Sequence, residues 1–301
     1  MRLNWRGVIP AITTPFKPDL SVDHEFLAGH AIWMLDQGCT GLVPLGSLGE
    51  GATLTAEEKR AILETLVRAV DDRAPIIPGI SALSTAEAVR LARDARTIGC
   101  RGLMVLPPYV YSTDWREMKA HVTAVIEATD LPCLLYNNPV AYRTDFAPEQ
   151  ISELAGEHAN LEAVKESSTD VRRVTGIRAL LADRLEVLVG VDDAIVEAVQ
   201  AGATGWIAGL VNAFPAESVA LYRWAMEGRT REAYELYRWF LPLLRMDTVP
   251  KFVQLIKLVQ EKVGRGSARV RPPRLELEGD ELRVAVAAVE QALATRPRLE
   301  A

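Results

Sequence analysis

The sequence is poor in the residues that build disulfides and metal centres. Three cysteines, Cys39, Cys100 and Cys133, lie far apart in 301 residues, which argues against a disulfide framework or a cysteine zinc site. The four histidines show no metal-ligand spacing, so we expect no metal. Without an apolar run of membrane-spanning length or a signal-peptide core, the chain is predicted to be cytoplasmic.

Charge and composition narrow the class of protein further. The chain carries a net charge of −6, and its arginines alternate with carboxylates rather than forming a basic stripe, which argues against a nucleic-acid partner. With 49% hydrophobic and 25% charged residues, it fits an enzyme of one large domain plus an extension.

Lysine is scarce, and one lysine stands out. Six of the seven occupy polar positions on predicted helices or loops, whereas Lys165 ends an apolar strand-like run over residues 161–165. At the carboxyl end of a barrel strand, burial favours the neutral amine that forms a Schiff base with a carbonyl. Taken alone, the pattern fits a strand-end lysine that reaches solvent equally well.

Strand-like and helical patterns alternate along the first three quarters of the chain. Capping signals at Thr55, Ser84 and Asp114 open three of the intervening helices. Eight units predict an α/β fold, a (β/α)₈ TIM barrel. The predicted strands are 8–13, 41–45, 74–79, 102–106, 132–136, 161–165, 185–189 and 205–208.

After Pro215 the strand signals stop and four helical patterns follow, over residues 218–228, 231–244, 249–263 and 280–294. We therefore expect a catalytic barrel over residues 1–228 and a C-terminal helical extension over residues 229–301.

The carboxyl ends of the predicted strands carry the candidate chemistry. Glycines 46, 49 and 51 surround Ser47 and Leu48 in a turn whose amides can hold a carboxylate, although an ordinary turn also fits. Tyr136 ends the strand before that of Lys165, and parallel neighbours lie about 4.8 Å apart. One substrate can therefore meet both side chains, with a phenol moving protons beside an imine.

One further strand end carries acidic groups. Asp192 and Asp193 follow the seventh predicted strand, where they disfavour a phosphate site, and we expect Asp193 to cap the next helix.

The order of these motifs resembles the dihydrodipicolinate synthase and N-acetylneuraminate lyase family. The matching segments span nearly the whole chain: Gly7-Val8-Ile9-Pro10-Ala11-Ile12-Thr13-Thr14-Pro15-Phe16, Gly46-Ser47-x-Gly49-Glu50, Tyr136-Asn137-x-Pro139, Lys165-Glu166-Ser167-Ser168, Gly190-x-Asp192 and Arg271-Pro272-Pro273.

The resemblance implies a Schiff-base enzyme that acts on pyruvate or another 2-oxo acid, with no metal and no organic cofactor. Lys165 would form the imine and Tyr136 would be the acid/base, with Tyr109 completing a proton relay across a dimer interface. The carboxylate would bind to Ser47 and the backbone of Leu48 beside Gly49, and Ile207 would supply a backbone contact. A homodimer or homotetramer would follow.

Two departures from the family's synthase branch bear on the substrate. Leu48 replaces a hydroxyl residue, and Ala141 stands where the synthases carry an arginine, with Arg143 two positions late. We therefore expect an aldolase, dehydratase or deaminase for a hydroxylated or 3-deoxy 2-oxo acid. Dihydrodipicolinate synthesis in the strict sense is the alternative, and a catalytically silent barrel that binds a 2-oxo acid is another.

Overall fold

Seven parallel strands form one sheet in the computed structural model, which describes residues 3–108 and 114–299. Their order in the sheet is β1-β7-β6-β5-β4-β3-β2. Residues 133–137 are all buried, as expected for strands covered on both faces. The strands are β1 (Gly7–Pro10), β2 (Gly79–Ile80), β3 (Leu103–Val105), β4 (Cys133–Asn137), β5 (Leu161–Glu166), β6 (Glu186–Val189) and β7 (Gly205–Ala208).

The strand predicted over residues 41–45 is wrong as a strand. This segment makes isolated parallel bridges, Ala11 to Val43 and Leu42 to Ile76. Its backbone hydrogen bonds still run to both sides, from Val43 N to Pro10 O at 2.8 Å and from Gly79 N to Pro44 O at 2.8 Å. Prolines explain the loss of the ladder, because each one removes an N–H donor.

Within the described residues, twelve α-helices accompany the sheet. Thr55 forms the predicted capping box with Glu58, and Ser84 and Asp114 accept hydrogen bonds from the first turns of their helices. The helices are α1 (His24–Asp36), α2 (Ala56–Val70), α3 (Thr85–Ile98), α4 (Trp115–Ile126), α5 (Pro139–Tyr142), α6 (Pro148–Glu157), α7 (Arg172–Leu181), α8 (Ile195–Gln200), α9 (Pro215–Met226), α10 (Thr230–Leu244), α11 (Phe252–Lys262) and α12 (Gly279–Ala294).

Two apolar clusters pack on the two faces of the sheet. The larger one joins the strands to the helices, and the smaller one takes alternate strand residues such as Leu134, Tyr136, Ala163 and Ile207. Because side chains of a strand alternate between faces, the smaller cluster marks the concave side of a curled sheet. Lys165 shares that side, since it lies two residues after Ala163.

The four helices predicted after Pro215 are present as α9 to α12 with shifts of a few residues. One lysine there differs from expectation: Lys257 of α11 is 2% exposed, and its Nζ lies 2.5 Å from Glu50 Oε1. This ion pair ties α11 to the turn that follows residue 45. In the part of the chain that the structure describes, no helix is long and apolar enough to cross a membrane.

Candidate active site

Lys165 lies at the carboxyl end of β5 beside Tyr136 of β4, with which it is in register. Its side chain is 7% exposed, and its Nζ lies 4.3 Å from the centroid of the Tyr136 ring. Among residues 3–108 and 114–299 it has no hydrogen-bond or ion-pair partner. The structure therefore presents a buried amine with no carboxylate within ion-pair distance in the described part of the chain.

Gly190, just after β6, leaves the space that the lysine occupies. A Cβ at this position would lie 2.4 Å from Lys165 Cε and 2.1 Å from Ser167 Oγ, distances that real Cβ atoms do not show. The Ser167 hydroxyl is buried and has no hydrogen-bond partner in the described structure. A polar atom thus remains open beside the lysine.

Tyr136 is 5% exposed, and its hydroxyl accepts a hydrogen bond from Asn138 Nδ2 at 2.9 Å. Asn138 also caps α5, because its Oδ1 accepts from Ala141 N at 3.0 Å. The short helix and the phenol are therefore positioned by one side chain.

A buried network holds the ends of β4 and β5 together. Asn137 Nδ2 donates to Glu166 Oε2 at 3.0 Å, and Asn137 Oδ1 accepts from Phe146 N at 3.0 Å. Burial raises the pKa of Glu166, while the hydrogen bonds from Ser168 and Asn137 oppose that rise. The network supports the two strands that carry Tyr136 and Lys165.

Ser47 meets a tyrosine that the sequence did not single out. The Ser47 hydroxyl hydrogen-bonds to the hydroxyl of Tyr142, the last residue of α5. The Tyr142 ring packs edge-on against Tyr136, with centroids 5.7 Å apart. An edge-on aromatic contact of this kind is a common stable arrangement. Ser47, Tyr142 and Tyr136 therefore form one contiguous polar face.

The glycines of the Ser47 turn are needed for close backbone approach. A Cβ at Gly51 would lie 2.1 Å from Leu45 O, and one at Gly49 would lie 3.0 Å from Ile12 O. The Leu48 side chain is buried in the larger cluster, away from the one that contains Tyr136. Its side chain therefore does not belong to the apolar cluster on the concave side.

The remaining sequence-predicted residues divide into two groups. Ile207 of β7 is 1% exposed and belongs to the same concave cluster as Tyr136. Tyr109 lies outside the described residues, so its predicted role stays a prediction. Arg143 follows α5, is exposed, and makes no ion pair with any residue that the structure describes.

Asp192 is fully buried after β6. Its carboxylate accepts hydrogen bonds from Trp206 Nε1 at 3.0 Å and from Leu210 N at 2.8 Å, and it also contacts Gly209 N. Burial raises its pKa to about 6, although the hydrogen bonds and the Lys165 charge act against that rise. This carboxyl anchors the end of β7.

The expectation that Asp193 caps the next helix is wrong. Helix α8 begins at Ile195 after Ala194, without a side-chain cap. Asp193 instead pairs with Arg245, at 3.5 Å between Oδ2 and Nε. The pair links the end of β6 to the turn after α10.

Three comparisons with known proteins agree with this arrangement. The sequence model described as the Dihydrodipicolinate synthetase family matches residues 4–292. A protein named 4-hydroxy-tetrahydrodipicolinate synthase from Methanococcus maripaludis is 30% identical over 280 residues, covering 93% of this chain and 96% of the relative. A protein of the same name from Natronomonas pharaonis is 38% identical over 233 residues, covering 77% of this chain and 79% of the relative.

Solved structures give the same result at the level of the backbone. Dihydrodipicolinate synthase from Aquifex aeolicus superposes with a TM-score of 0.91 at 28% identity, over 95% of this chain and 97% of that one. The Escherichia coli K12 prophage protein YagE, solved in complex with pyruvate, superposes with a TM-score of 0.90 at 26% identity, over 96% and 99%. The match inferred from the motifs is confirmed, and the chain belongs to the dihydrodipicolinate synthetase family.

Proposed function

We propose that this chain is a Schiff-base lyase that binds pyruvate or a substituted 2-oxo acid through Lys165. The observation that carries the proposal is the buried Lys165 amine, which lies against the Tyr136 ring without a carboxylate partner in the described structure. Family membership adds support, because the relatives are named as synthases of this chemistry and one solved member holds pyruvate.

The chemistry follows from these positions. The Lys165 amine adds to C2 of the 2-oxo acid, and the carbonyl oxygen leaves as water with the two amine protons. The resulting imine, once protonated, withdraws electrons from the bond at the next carbon, which can then break or form. Tyr136 moves the protons, since its hydroxyl ends the neighbouring strand.

The substrate carboxylate binds at the Ser47 turn, where the Ser47 hydroxyl and the backbone of Leu48 and Gly49 offer donors. Ile207 contributes its backbone from β7. Tyr142 supplies a second hydroxyl next to Ser47 from within the same chain. This contact gives the relay a route that does not depend on Tyr109, whose place across a dimer interface rests on the family resemblance.

The preferred substrate is a hydroxylated or 3-deoxy 2-oxo acid rather than aspartate semialdehyde. Ala141 offers no charge for a second carboxylate, and Arg143 is exposed after α5. An unpaired carboxylate buried there would cost several kcal/mol. The names of the curated relatives favour the alternative, synthesis of 4-hydroxy-tetrahydrodipicolinate, which requires Arg143 or another cation to take that role.

We propose the closure of the barrel, the helical extension and the oligomeric state in the same way. Segment 41–45 lies between β1 and β2, where its hydrogen bonds complete a barrel of eight segments. The C-terminal helical extension begins at residue 229. A cytoplasmic homodimer or homotetramer is expected from the resemblance alone, and sedimentation of the purified chain would measure its size.

The test is a screen of 2-oxo acids by borohydride trapping and mass spectrometry. Pyruvate should leave a stable adduct on Lys165, and absence of any adduct would overturn the proposal. The same preparation then allows kcat/KM for a 4-hydroxy-2-oxo acid to be compared with that for pyruvate plus aspartate semialdehyde. Efficient dihydrodipicolinate formation would show that the alternative holds.

A further inference from the structure

Asp247 brings a carboxyl group from the C-terminal helices to the carboxyl end of the sheet. It lies in the single helical turn between α10 and α11, and its Oδ1 is 2.1 Å from the point where a Cβ on Gly209 would lie. Gly209 directly follows β7, so it lies at the carboxyl end of the sheet, next to the strand that carries Ile207. The carboxyl therefore packs on a position that must be glycine.

The surroundings of Asp247 connect it to Lys165. The Asp192 carboxylate accepts a hydrogen bond from Gly209 N, so the carboxyls of Asp192 and Asp247 both lie against Gly209. Burial and the neighbouring Asp192 raise the pKa of Asp247 well above its usual range, while the Lys165 charge opposes the rise. Such a carboxyl keeps its proton more readily and can donate a hydrogen bond as well as accept one.

No group in the described part of the chain hydrogen-bonds this carboxyl. Asp247 is partly exposed, and within residues 3–108 and 114–299 its side chain has no hydrogen-bond or ion-pair partner. A second, independent polar atom is open nearby: the Ser167 hydroxyl is 2% exposed and unpartnered, and it lies beside Lys165 where Gly190 leaves space. The buried, unpartnered Ser167 hydroxyl and the partly exposed Asp247 carboxyl are both available to a ligand with hydroxyl groups.

Different groups lie on the two sides of Lys165. Tyr136 reaches Lys165 from β4, whereas Gly209 follows β7 and lies on the other side of β5 in the sheet order. A substrate fixed at C2 by Lys165 would extend its remaining carbons between these sides. A second carboxylate in that extension would be repelled by the ionised form of Asp247, whereas a neutral hydroxyl can bind either form of Asp247.

We propose that Asp247 is a specificity-determining residue that hydrogen-bonds a hydroxyl group on the substrate carbons beyond the 2-oxo acid. The inference rests on the proposed Schiff base at Lys165 and adds the substrate class that the site selects. It also gives the C-terminal helices a part in substrate choice, through the turn that carries Asp247.

The experiment compares two 2-oxo acids of equal length, 2-oxopentanoate and 4,5-dihydroxy-2-oxopentanoate. Each is trapped on the protein with borohydride, and mass spectrometry gives the concentration for half-maximal adduct on Lys165. In the wild type the dihydroxy acid should reach half-saturation at a concentration at least about tenfold lower, the scale of one good hydrogen bond. Trapping works for an aldolase and a dehydratase alike.

Variants assign the difference to Asp247. Asp247→Leu and Asp247→Ala should bring the ratio close to one while pyruvate trapping stays unchanged, and Asp247→Asn, which still hydrogen-bonds, should keep most of the preference. Asp193→Asn is the matched control, because it removes a neighbouring carboxylate that pairs with Arg245, and it should keep the wild-type ratio.

The outcomes separate the two proposals. A wild-type ratio near one, or an unchanged ratio in both Asp247→Leu and Asp247→Ala, would overturn the role of Asp247 while pyruvate trapping still supports the lyase. The role would also be overturned if products of aspartate semialdehyde were trapped preferentially and this preference depended on Asp247. The residue would then bind an ammonium group. Absence of a pyruvate adduct in the wild type would overturn both.

Discussion

Two buried lysines of this protein look alike in burial and in aromatic contact. Lys165 is 7% exposed and Lys257 is 2% exposed. Each Nζ lies 4.3 Å from the centroid of an aromatic ring, Tyr136 for Lys165 and Phe16 for Lys257. What separates them is the acid partner. Lys257 contacts Glu50 Oε1 at 2.5 Å and the Arg269 carbonyl at 2.7 Å, whereas Lys165 has no such partner in the described residues.

The difference shows that burial by itself does not make a lysine a nucleophile. Burial lowers the pKa of Lys257, and the Glu50 carboxylate opposes that fall. The Lys165 nitrogen has no carboxylate within hydrogen-bond or ion-pair distance among the described residues, so it is open to a substrate carbonyl. Lys257 is therefore expected to contribute to stability, and Lys165 to chemistry.

The most direct way to break this comparison is Lys165→Arg. Because an arginine offers no free amine at accessible pH, the variant should lose the pyruvate adduct and all measurable turnover. Peptide mapping of the wild type should place the adduct on Lys165 and leave Lys257 unlabelled. Label on Lys257, or undiminished labelling of the variant, would contradict the assignment of roles.

Lys257→Met tests the structural half of the comparison. The change removes the close cation of the Glu50 carboxylate, whose side chain is 0% exposed, and leaves it only Arg274 at 4.0 Å and the backbone N–H of Arg271 at 3.0 Å. Breaking a buried pair from one side costs about 3–5 kcal/mol, so the free energy of unfolding in denaturant should fall by that amount. The folded fraction should still form the Lys165 adduct.

A matched control comes from the same part of the chain. Lys251 pairs with Glu281 at the surface, with side-chain exposures of 50% and 57%. Lys251→Met should therefore change the unfolding free energy by at most about 1 kcal/mol. An equally small change for Lys257→Met would show that the buried Lys257–Glu50 pair does not stabilise the fold.

Tyr136→Phe makes the Lys165 contact resemble that of Lys257 on Phe16, because it removes the hydroxyl and keeps the ring. If the hydroxyl moves protons beside the imine, kcat should fall by at least about 10²-fold while pyruvate trapping remains detectable. Single-turnover kinetics would separate the two steps. A kcat near that of the wild type would reduce Tyr136 to a packing residue.

Tyr142→Phe sharpens the same point, since it removes the hydroxyl that contacts Ser47 and keeps the edge-on ring packing. We expect a smaller loss in kcat than for Tyr136→Phe, together with a shifted pH profile. If only Tyr109→Phe produced these changes, the relay would run through Tyr109 instead.

The sequence predicted the strands that carry Lys165 and Tyr136 because apolar parallel strands leave a clear pattern. The register that places these two side chains together then follows from strand geometry. The strand over residues 41–45 was wrong, because apolar content does not reveal a ladder broken by Pro44 and Pro75.

Residues outside the strands were harder to predict. Lys257 looks like a polar helix position, since a helical pattern does not show which loop packs on it. Tyr142 and Asp247 come from a short helix and a single turn, and their contacts with Ser47 and Gly209 depend on long-range folding. No local spacing signals either contact.

The smallest expected effect comes from a comparison of two buried carboxylates, Glu50 beside Lys257 and Asp192 after β6. Glu50 is held by the Lys257 cation, whereas neutral donors, the Trp206 indole and the backbone of residues 209 and 210, hold Asp192. Burial raises the pKa of Asp192 to about 6, above the ordinary value near 4. The folded state therefore binds this proton more tightly than the unfolded state does.

Linkage then fixes the sign of the pH dependence. The contribution of Asp192 is fully present below pH 4 and is lost as the pH rises towards 6, with a slope of at most about 1.4 kcal/mol per pH unit for one proton. Unfolding free energies of the wild type minus those of Asp192→Asn should therefore fall from pH 4 to pH 6 and level off above it. The matched control is Asp183→Asn, because the Asp183 side chain is fully exposed and the change removes no buried carboxyl. A flat or rising curve for Asp192→Asn would mean that the backbone donors hold this carboxylate ionised despite its burial.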